Sequence, residues 1–357
     1  MEKTAILGLK GKVKQLHSEM QAQRRKFGLD VTLRSHLADN YDNLTPDNLY
    51  NELQIDPRIA TVENLLAMDE DTRWLVPEVI RDAIRKGFVE APIWPDLVIS
   101  DEPVSSPSVR APHIDISTTA IAEVAEGGTI PVGSVTYGDK TVDLVKQGTG
   151  IDVSYEAIRF SSINLLSVYL TDVGTRLGSL VTKQAIEALI NGDQDDASEA
   201  CAVIGVEDTE EVLVYKDFLR VWTRMARCGG TPDSILANED LALTILDMDA
   251  FKKRYAGSPM ATAMLKTPLP TQQNVFVNSN VTTGKVLFNN KNRSMVKVTA
   301  EPLMVEADRI IDRQITKTVA SVITGFVTLQ RTGRAMLDTT LAYAENGWAS
   351  WFAPIED

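Results

Sequence analysis

The sequence predicts an α+β chain of two or three sub-domains, and three observations lead there. Ile163, Leu166, Leu170, Val173, Leu177 and Leu180 repeat at three-four spacing, the period of a long amphipathic helix. Apolar and polar residues alternate in "GSVTYGDKTVDLV" and "GIDVSYEAI", while "RQITKTVASVITGFVTLQ" is rich in Thr, Val and Ile, and these are strand signatures. A length of 357 residues is more than one small core needs.

In chain order, Ile6, Leu9, Val13, Leu16, Met20 and Phe27 mark a short amphipathic helix, with Gln23 in one slot. Gly8 and Gly11 weaken it by about 1 kcal/mol each relative to Ala. A second helix follows Pro77 in "EVIRDAIRKGF". From Ala91 the texture changes. Pro92, Pro95, Pro103, Pro107 and Pro112 fix φ and push their predecessors toward extended conformations. Ile93, Trp94, Leu97, Val98 and Ile99 are too apolar to leave in water, so this segment reads as an extended arm lying on something else.

Val135 and Tyr137 on one side of Gly138-Asp139, with Val142 and Leu144 on the other, predict a hairpin with a two-residue turn at Gly138-Asp139. Ile151, Val153 and Tyr155 share one face of the strand that follows. The long helix runs from Ile163 to Asn191, roughly 43 Å at 1.5 Å per residue. Asn191-Gly192 stops it. Gly174 and Gly178, four apart, leave one side narrow enough for another backbone to approach. Beyond it, "VYKDFLRVWTRMARC" and "NEDLALTILDMDAFKKRY" are helical by pattern, and "NVFVNSNVTTGKVLF" reads as two strands around a turn.

Charge is unevenly placed. The net charge is −13, yet up to His36 eight basic residues face three acids, a net +5 that leaves −18 on the rest. A basic segment on an acidic body points to an anionic partner at one face, although a solvated helix face is the commoner meaning of such a run. Charges interrupt every long apolar stretch, and Asp172, Arg176, Lys183 and Glu187 exclude the long helix from a membrane. "MEKTAILGLKGKVKQ" lacks the apolar core of a signal peptide. Cys201 and Cys228, the only cysteines, imply no disulfide framework and a reducing compartment.

No stretch carries catalytic or metal-binding chemistry. "GSVTYGDKT" spaces Gly133 and Gly138 like a phosphate loop, but Asp139 stands where the lysine belongs, and a hairpin is favoured. "NGDQDDASE" loosely resembles a calcium loop. With Asn191 as first ligand, the required glycine and glutamate positions hold Asp196 and Ala202, so a solvated acidic terminus is favoured. His17, His36 and His113 have no partner at zinc-ligand spacing. No serine sits in a nucleophile elbow, and each cysteine reads as a small buried hydrophobe. No cofactor, metal or catalytic residue is expected.

The order of arm, hairpin, strand, long helix, mixed region and terminal strands resembles the major capsid proteins of tailed bacteriophages, the Hong Kong 97 type fold. The matching residues are "VDLVKQGTGIDVSYEAI" with Ser154 and Glu156, "YLTDVGTRLGSLVTKQAIEALINGD" closing on Gly192-Asp193, "TPDSILANEDLALTIL" with its helix-capping Asn238, and "ADRIIDRQITKTVASVITGFVTLQRTGRAML". Many relatives carry an acid shortly before the Gly-Asp ending, where this chain has Gln184 and Ala185. Together the matches cover roughly Trp74 to Leu337.

The resemblance implies an N-terminal helical extension over 1–73, an N-arm over 74–112 and an E-loop over 113–150. It then implies a peripheral (P) domain strand and spine helix over 151–196, an axial (A) domain over 197–300, P-domain terminal strands over 301–340 and a tail over 341–357. In such a fold the long helix is a beam, which explains its length without chemistry. The implied function is a shell subunit assembling into hexamers and pentamers of an icosahedral virion around double-stranded DNA. The implied partners are many copies of itself, non-specifically packaged DNA, and portal, scaffolding and cement proteins, with the host cytoplasm as the compartment before assembly and no membrane. Tyr137, Gly138, Asp139, Lys140, Trp94 and Leu97 are the expected subunit contacts. Lys10, Lys12, Lys14, Arg24, Arg25 and Lys26 are the expected interior, DNA-facing residues. An encapsulin-like nanocompartment is the alternative within the fold, although some seventy residues precede Trp74, where that class usually lacks a long segment. From other classes, an enzyme using carboxylates such as Asp195, Asp196 and Glu199, or a nucleic-acid module using the basic first helix, are the rivals.

Overall fold

The structure is a computed structural model. It describes residues 75–90, 92–113, 136–154, 163–192, 200–207, 213–248, 274–310 and 312–344, and single positions 16, 18–20, 22, 36, 37, 40, 124, 126, 128, 156 and 352. The chain divides into two compact units. One comprises Met1–Pro92, Val145–Val181 and Glu301–Thr324, and the other Ile93–Leu144, Thr182–Ala300 and Gly325–Asp357.

The first unit holds α1 (Leu75–Glu90), β4 (Val145–Ser154), most of α2 (Ile163–Asn191) and parts of β9 (Met295–Ile310) and β10 (Ile315–Thr328). The bounds of α2 are those its apolar period predicts, and Gly192, at φ 92°, ends it by donating its N–H to the Ala188 carbonyl at 3.0 Å. The glycines are spent on a crossing of α1 and α2. A Cβ on Gly174 would collide with the Ile84 carbonyl oxygen and lie 2.8 Å from the Phe88 nitrogen. A Cβ on Gly87 would collide with the Thr171 carbonyl oxygen, so both helices give up side chains at the same contact. Leu16 and Met20 of the predicted N-terminal stripe are helical and buried, while Ser18 and Ala22 are exposed.

β4 pairs antiparallel with β10 over ten unbroken registers, from Val145 opposite Thr324 to Ser154 opposite Ile315. The sheet order is β1-β9-β10-β4, with β1 (Asp101–Pro103) pairing parallel to β9, so β4 is the outermost strand among the described residues. Along β4, Ile151 and Val153 are half-buried and Asp152 and Ser154 exposed, as the alternation predicts.

The second unit is built on a five-stranded sheet, order β5-β11-β8-β6-β7: β5 (Ala202–Val206), β11 (Arg334–Ala342), β8 (Lys285–Asn289), β6 (Ser234–Ala237) and β7 (Asn274–Val277). Its core gathers Val221, Met225, Ile235, Val286, Leu337 and the edge-to-face pair Phe218–Phe288, whose ring centres lie 5.6 Å apart. α3 (Tyr215–Arg227) and α4 (Glu239–Asp247) cover it. Asp217 starts α3 by accepting from the Val214 N–H at 3.1 Å, and Asn238 starts α4 by accepting from the Glu239 N–H at 2.7 Å. Arg334 is fully buried and donates to the Ala188 carbonyl in the last turn of α2, where a cation complements the helix dipole.

Three expectations change. β7 and β8 both exist in "NVFVNSNVTTGKVLF" but are not hairpin partners: β6 lies between them, pairing parallel with β7 and antiparallel with β8. β11 was expected among P-domain strands, yet it lies between β5 and β8 in the five-stranded sheet, because "AMLD" is apolar enough to be sandwiched. Finally, Gly138-Asp139 is not a turn. Thr136–Asp143 is one strand, β3, antiparallel to β2 (Ser108–His113). The register slips between Arg110, opposite Thr141, and Pro112, opposite Tyr137, so Gly138, Asp139 and Lys140 bulge against Ala111 alone. A glycine inside a strand marks a bulge as readily as a turn.

Candidate assembly surface

The arm is zipped onto its own unit. Lys291 Nζ donates to the Pro95 carbonyl at 2.9 Å, Asn289 Nδ2 to the Leu97 carbonyl at 3.1 Å, and the Ile99 N–H to Met295 O at 3.1 Å. β1 then joins β9, where Lys297 Nζ meets Asp101 Oδ2 at 2.6 Å and lies 4.0 Å from the centre of the Trp94 ring. Thr299 Oγ1 donates to the other Asp101 oxygen at 2.6 Å. Burial pulls the Lys297 ammonium below the ordinary lysine value, while Asp101 acts to raise it. The β2–β3 ribbon that follows is rooted through Val142, which packs with Val298 and Val327, and with Val109 and Leu144 beside it.

The first unit keeps apolar surface outward. On α2, Leu165, Val168 and Tyr169 lie three and four apart, with Val168 65% and Tyr169 63% exposed. The next turns of this outer face carry the exposed ion pairs Asp172–Arg176, at 2.9 Å, and Lys183–Glu187, at 3.7 Å. On the sheet, Val145 and Val319 are exposed. An apolar stripe at the start of a long helix suits contact with protein.

The family model described as phage capsid protein matches residues 136–337, more than half of the chain. The chain belongs to the phage capsid protein family. Capsid structures carry the same fold. The capsid of the cyanophage P-SCSP1u aligns at TM-score 0.51 and 12% identity, covering 70% of this chain and 88% of that one. The capsid of the native GTA particle aligns at TM-score 0.51 and 11% identity, covering 71% and 90%. At such identities the likeness shows the fold, which is the Hong Kong 97 type capsid fold. No curated protein matches the chain.

A phage capsid protein is a structural component of the virion, and among the described residues no group of His, Cys, Asp or Glu is arranged to hold a metal ion. No described helix is long and apolar enough to cross a membrane. Cys201 and Cys228 are buried, and burial pushes the Cys201 thiol up to about 11. The predicted contact residues separate. The backbone of Tyr137, Gly138, Asp139 and Lys140 lies in the β2–β3 ribbon, in and beside its bulge. Leu97 is completely buried against its own unit and offers no surface to a neighbouring capsid subunit. Trp94 is half-buried, with the Lys297 ammonium over its ring, and the anchoring of the arm through β9 accounts for the burial of Leu97. Lys10, Lys12, Lys14, Arg24, Arg25 and Lys26 lie outside the described residues. The residues that sequence reasoning missed are Lys297, Asp101 and Asn289. Their contacts join positions almost two hundred residues apart, and no local pattern in the sequence marks them.

Proposed function

We propose that this phage capsid protein is the repeating unit of an icosahedral shell, assembled as hexamers and pentamers around double-stranded DNA of a tailed phage, and that it has no catalytic role. The observation that carries the reading is the family match across β3, β4, α2, the five-stranded sheet and β10, joined to outward apolar surface on α2 and β4. In this reading α2, β4 and β10 form the peripheral domain, the five-stranded sheet is the axial domain, and the β2–β3 ribbon is the E-loop. Tyr137, Gly138, Asp139 and Lys140 contact a neighbouring subunit through that ribbon. An isolated two-stranded ribbon is marginal in water, which supports a partner for it.

Lys10, Lys12, Lys14, Arg24, Arg25 and Lys26 face the shell interior and touch packaged phosphates, sequence-independently and in a salt-sensitive way. Portal, scaffolding and cement proteins are further partners, and the subunit resides in the host cytoplasm before assembly. The test is electron microscopy of the purified chain, with nuclease digestion of any particles. Closed shells of many copies are expected, with nuclease-protected DNA in particles recovered from infected cells. A chain that stays monomeric at high concentration would overturn the shell reading, and shells from infected cells that hold protein cargo instead of DNA would favour a nanocompartment.

A further inference from the structure

We propose that Ser100–Pro107 is a strap that opens and closes on the buried Lys297, with Asp101 as its catch, and that its opening frees the root of the β2–β3 ribbon to reach a second copy of this chain. The opening belongs to the subunit alone, and its use in assembly rests on the shell reading above. The strap lies between two apolar anchors. Leu97 and Val98 are buried before it, and Val142, Val298 and Val327 form the cluster that roots the ribbon after it. Between these anchors no residue from Ile99 to Pro107 is buried, and Asp101, Glu102 and Pro103 of β1 are all exposed. The backbone is held by three parallel registers with β9. Within this pairing Lys297 N–H donates to Ser100 O at 3.0 Å and Val104 N–H to Thr299 O at 2.9 Å. A segment with so few buried apolar contacts is the kind that opens locally while its surroundings stay folded.

The catch is a single carboxylate. Asp101 takes Lys297 Nζ on one oxygen and Thr299 Oγ1 on the other, both at 2.6 Å. The two charges sit differently, since the Lys297 side chain is 4% exposed and that of Asp101 41%. The charge that stays in the body is therefore dry while the strap is closed, with the centre of the Trp94 ring 4.0 Å away. When the strap lifts, both charges regain water. The hydration recovered offsets most of the attraction lost, so the closed and open states lie close in free energy. A methionine in place of Lys297 would still pack on Trp94 and would have no charge to hydrate, so it would hold the strap shut. A permanent anchor is made as Leu97 and Val98 make theirs, from apolar side chains, whereas Lys297 makes closure depend on one carboxylate. With the strap open, β2 loses its fixed entry while Val142 still holds β3, and the ribbon tilts about that root. In a chain of the phage capsid protein family, the neighbour that every subunit meets is another copy.

The experiment is amide hydrogen exchange in dilute, unassembled subunits of wild type, Lys297→Met and Asp101→Asn. It is read at the Val104 N–H, with the amides of Val286, Leu287 and Phe288 in β8 as the core reference. Lys297→Met should slow Val104 exchange by at least about threefold, and Asp101→Asn should speed it by at least about tenfold, with the core amides level in both. Unchanged or faster exchange in Lys297→Met would overturn the proposal, because the pair would then be a fixture that holds β1 down. So would an Asp101→Asn change that the core amides share, since the carboxylate would then support the whole unit. Should Asp101→Asn fail to fold, Lys297→Met decides by itself. A second measurement is shell yield. Lys297→Met, with its strap shut, should give at least about tenfold fewer shells than wild type at a level or higher melting temperature. A normal yield would overturn the role of the strap in assembly. Failure of the wild-type chain to form any shell would overturn the shell reading itself, while exchange at Val104 in the subunit would still decide whether the strap opens.

Discussion

α2 and α3 are both amphipathic helices, yet they finish their work differently. α3 turns Phe218, Val221 and Met225 into the core of its sheet and keeps Arg227 and Lys216 in water, so its apolar positions are satisfied within the chain. α2 buries Leu170, Leu177, Val181, Ala185 and Leu189, and still shows Leu165, Val168, Tyr169 and Leu180 to solvent. A helix that is apolar on one face completes a domain. A helix that is apolar on two faces is waiting for something outside it. The difference separates the part of the subunit that folds for itself from the part that is shaped for a neighbour, and substitutions can probe either side of it.

The largest effect belongs to the self-contained side. Phe288→Ala removes one ring of the edge-to-face pair with Phe218 on α3, both fully buried. A cost of about 3–5 kcal/mol is expected in denaturant unfolding of the subunit. A loss below about 1 kcal/mol would mean that the core collapses around the hole and that α3 is less sealed than its burial indicates.

On α2 the inner face is tested by Gly174→Leu. The side chain would enter the Ile84 backbone, and a loss of at least about 1–3 kcal/mol is expected. Gly178→Ala is the control, because its Cβ would sit 3.2 Å from the Phe88 carbonyl oxygen, and the helix-propensity gain of about 1 kcal/mol offsets a shift of that size. Equal thermal stability of Gly174→Leu and wild type would show that α1 does not cross α2 there.

The arm belongs with α3 if its clasp is real. Asp101→Ala leaves the buried Lys297 ammonium without its carboxylate and should cost about 1–3 kcal/mol. Adding Lys297→Met to that variant should recover part of the loss, because the unpaired charge is gone. No recovery in the double mutant would mean that the carboxylate matters through Thr299 instead.

A smaller, pH-dependent effect comes from Cys201. Burial raises its thiol from 9.0 to about 11. Between those values the unfolded chain gives up its proton first, so stability falls as pH rises through the window. Lys297 acts oppositely below 10.5, so wild type must be compared with Cys201→Ala, which should lose less stability between pH 9.0 and about 11. Identical pH profiles would show that the thiol is not desolvated.

Local periodicity made much of this legible. The ends of α2, the strand character of β4 and β10, the capping Asn238 and the narrow glycine side of α2 can all be read from residues within a few turns of one another. What failed depended on residues far apart. Gly138-Asp139 has the composition of a turn, and only its pairing with β2 makes it a bulge. The apolar residues of the arm announce that it lies on something but not on what, because the partners Asn289 and Met295 come some two hundred residues later. β11 was misplaced because strand composition does not say which sheet a strand joins.

The smallest effect on folding tests the outer face of α2, and it decides the comparison. Val168→Ser with Tyr169→Ser removes two exposed apolar side chains that lie one turn after Leu165. Exposed positions without buried partners change stability by no more than about 0.5 kcal/mol each, so the subunit should melt almost as wild type. Assembly should nevertheless weaken, because an apolar patch covered by a neighbour contributes about 25 cal/mol per Å² of surface removed from water, and serine contributes little. Sedimentation of the double mutant against wild type reads this as a higher concentration needed to form shells. Unchanged assembly would show that this face meets solvent in the virion, and α2 would then differ from α3 only in carrying surplus apolar surface. A lowered melting temperature would show instead that the two side chains support the subunit itself, and the face would belong to its own fold.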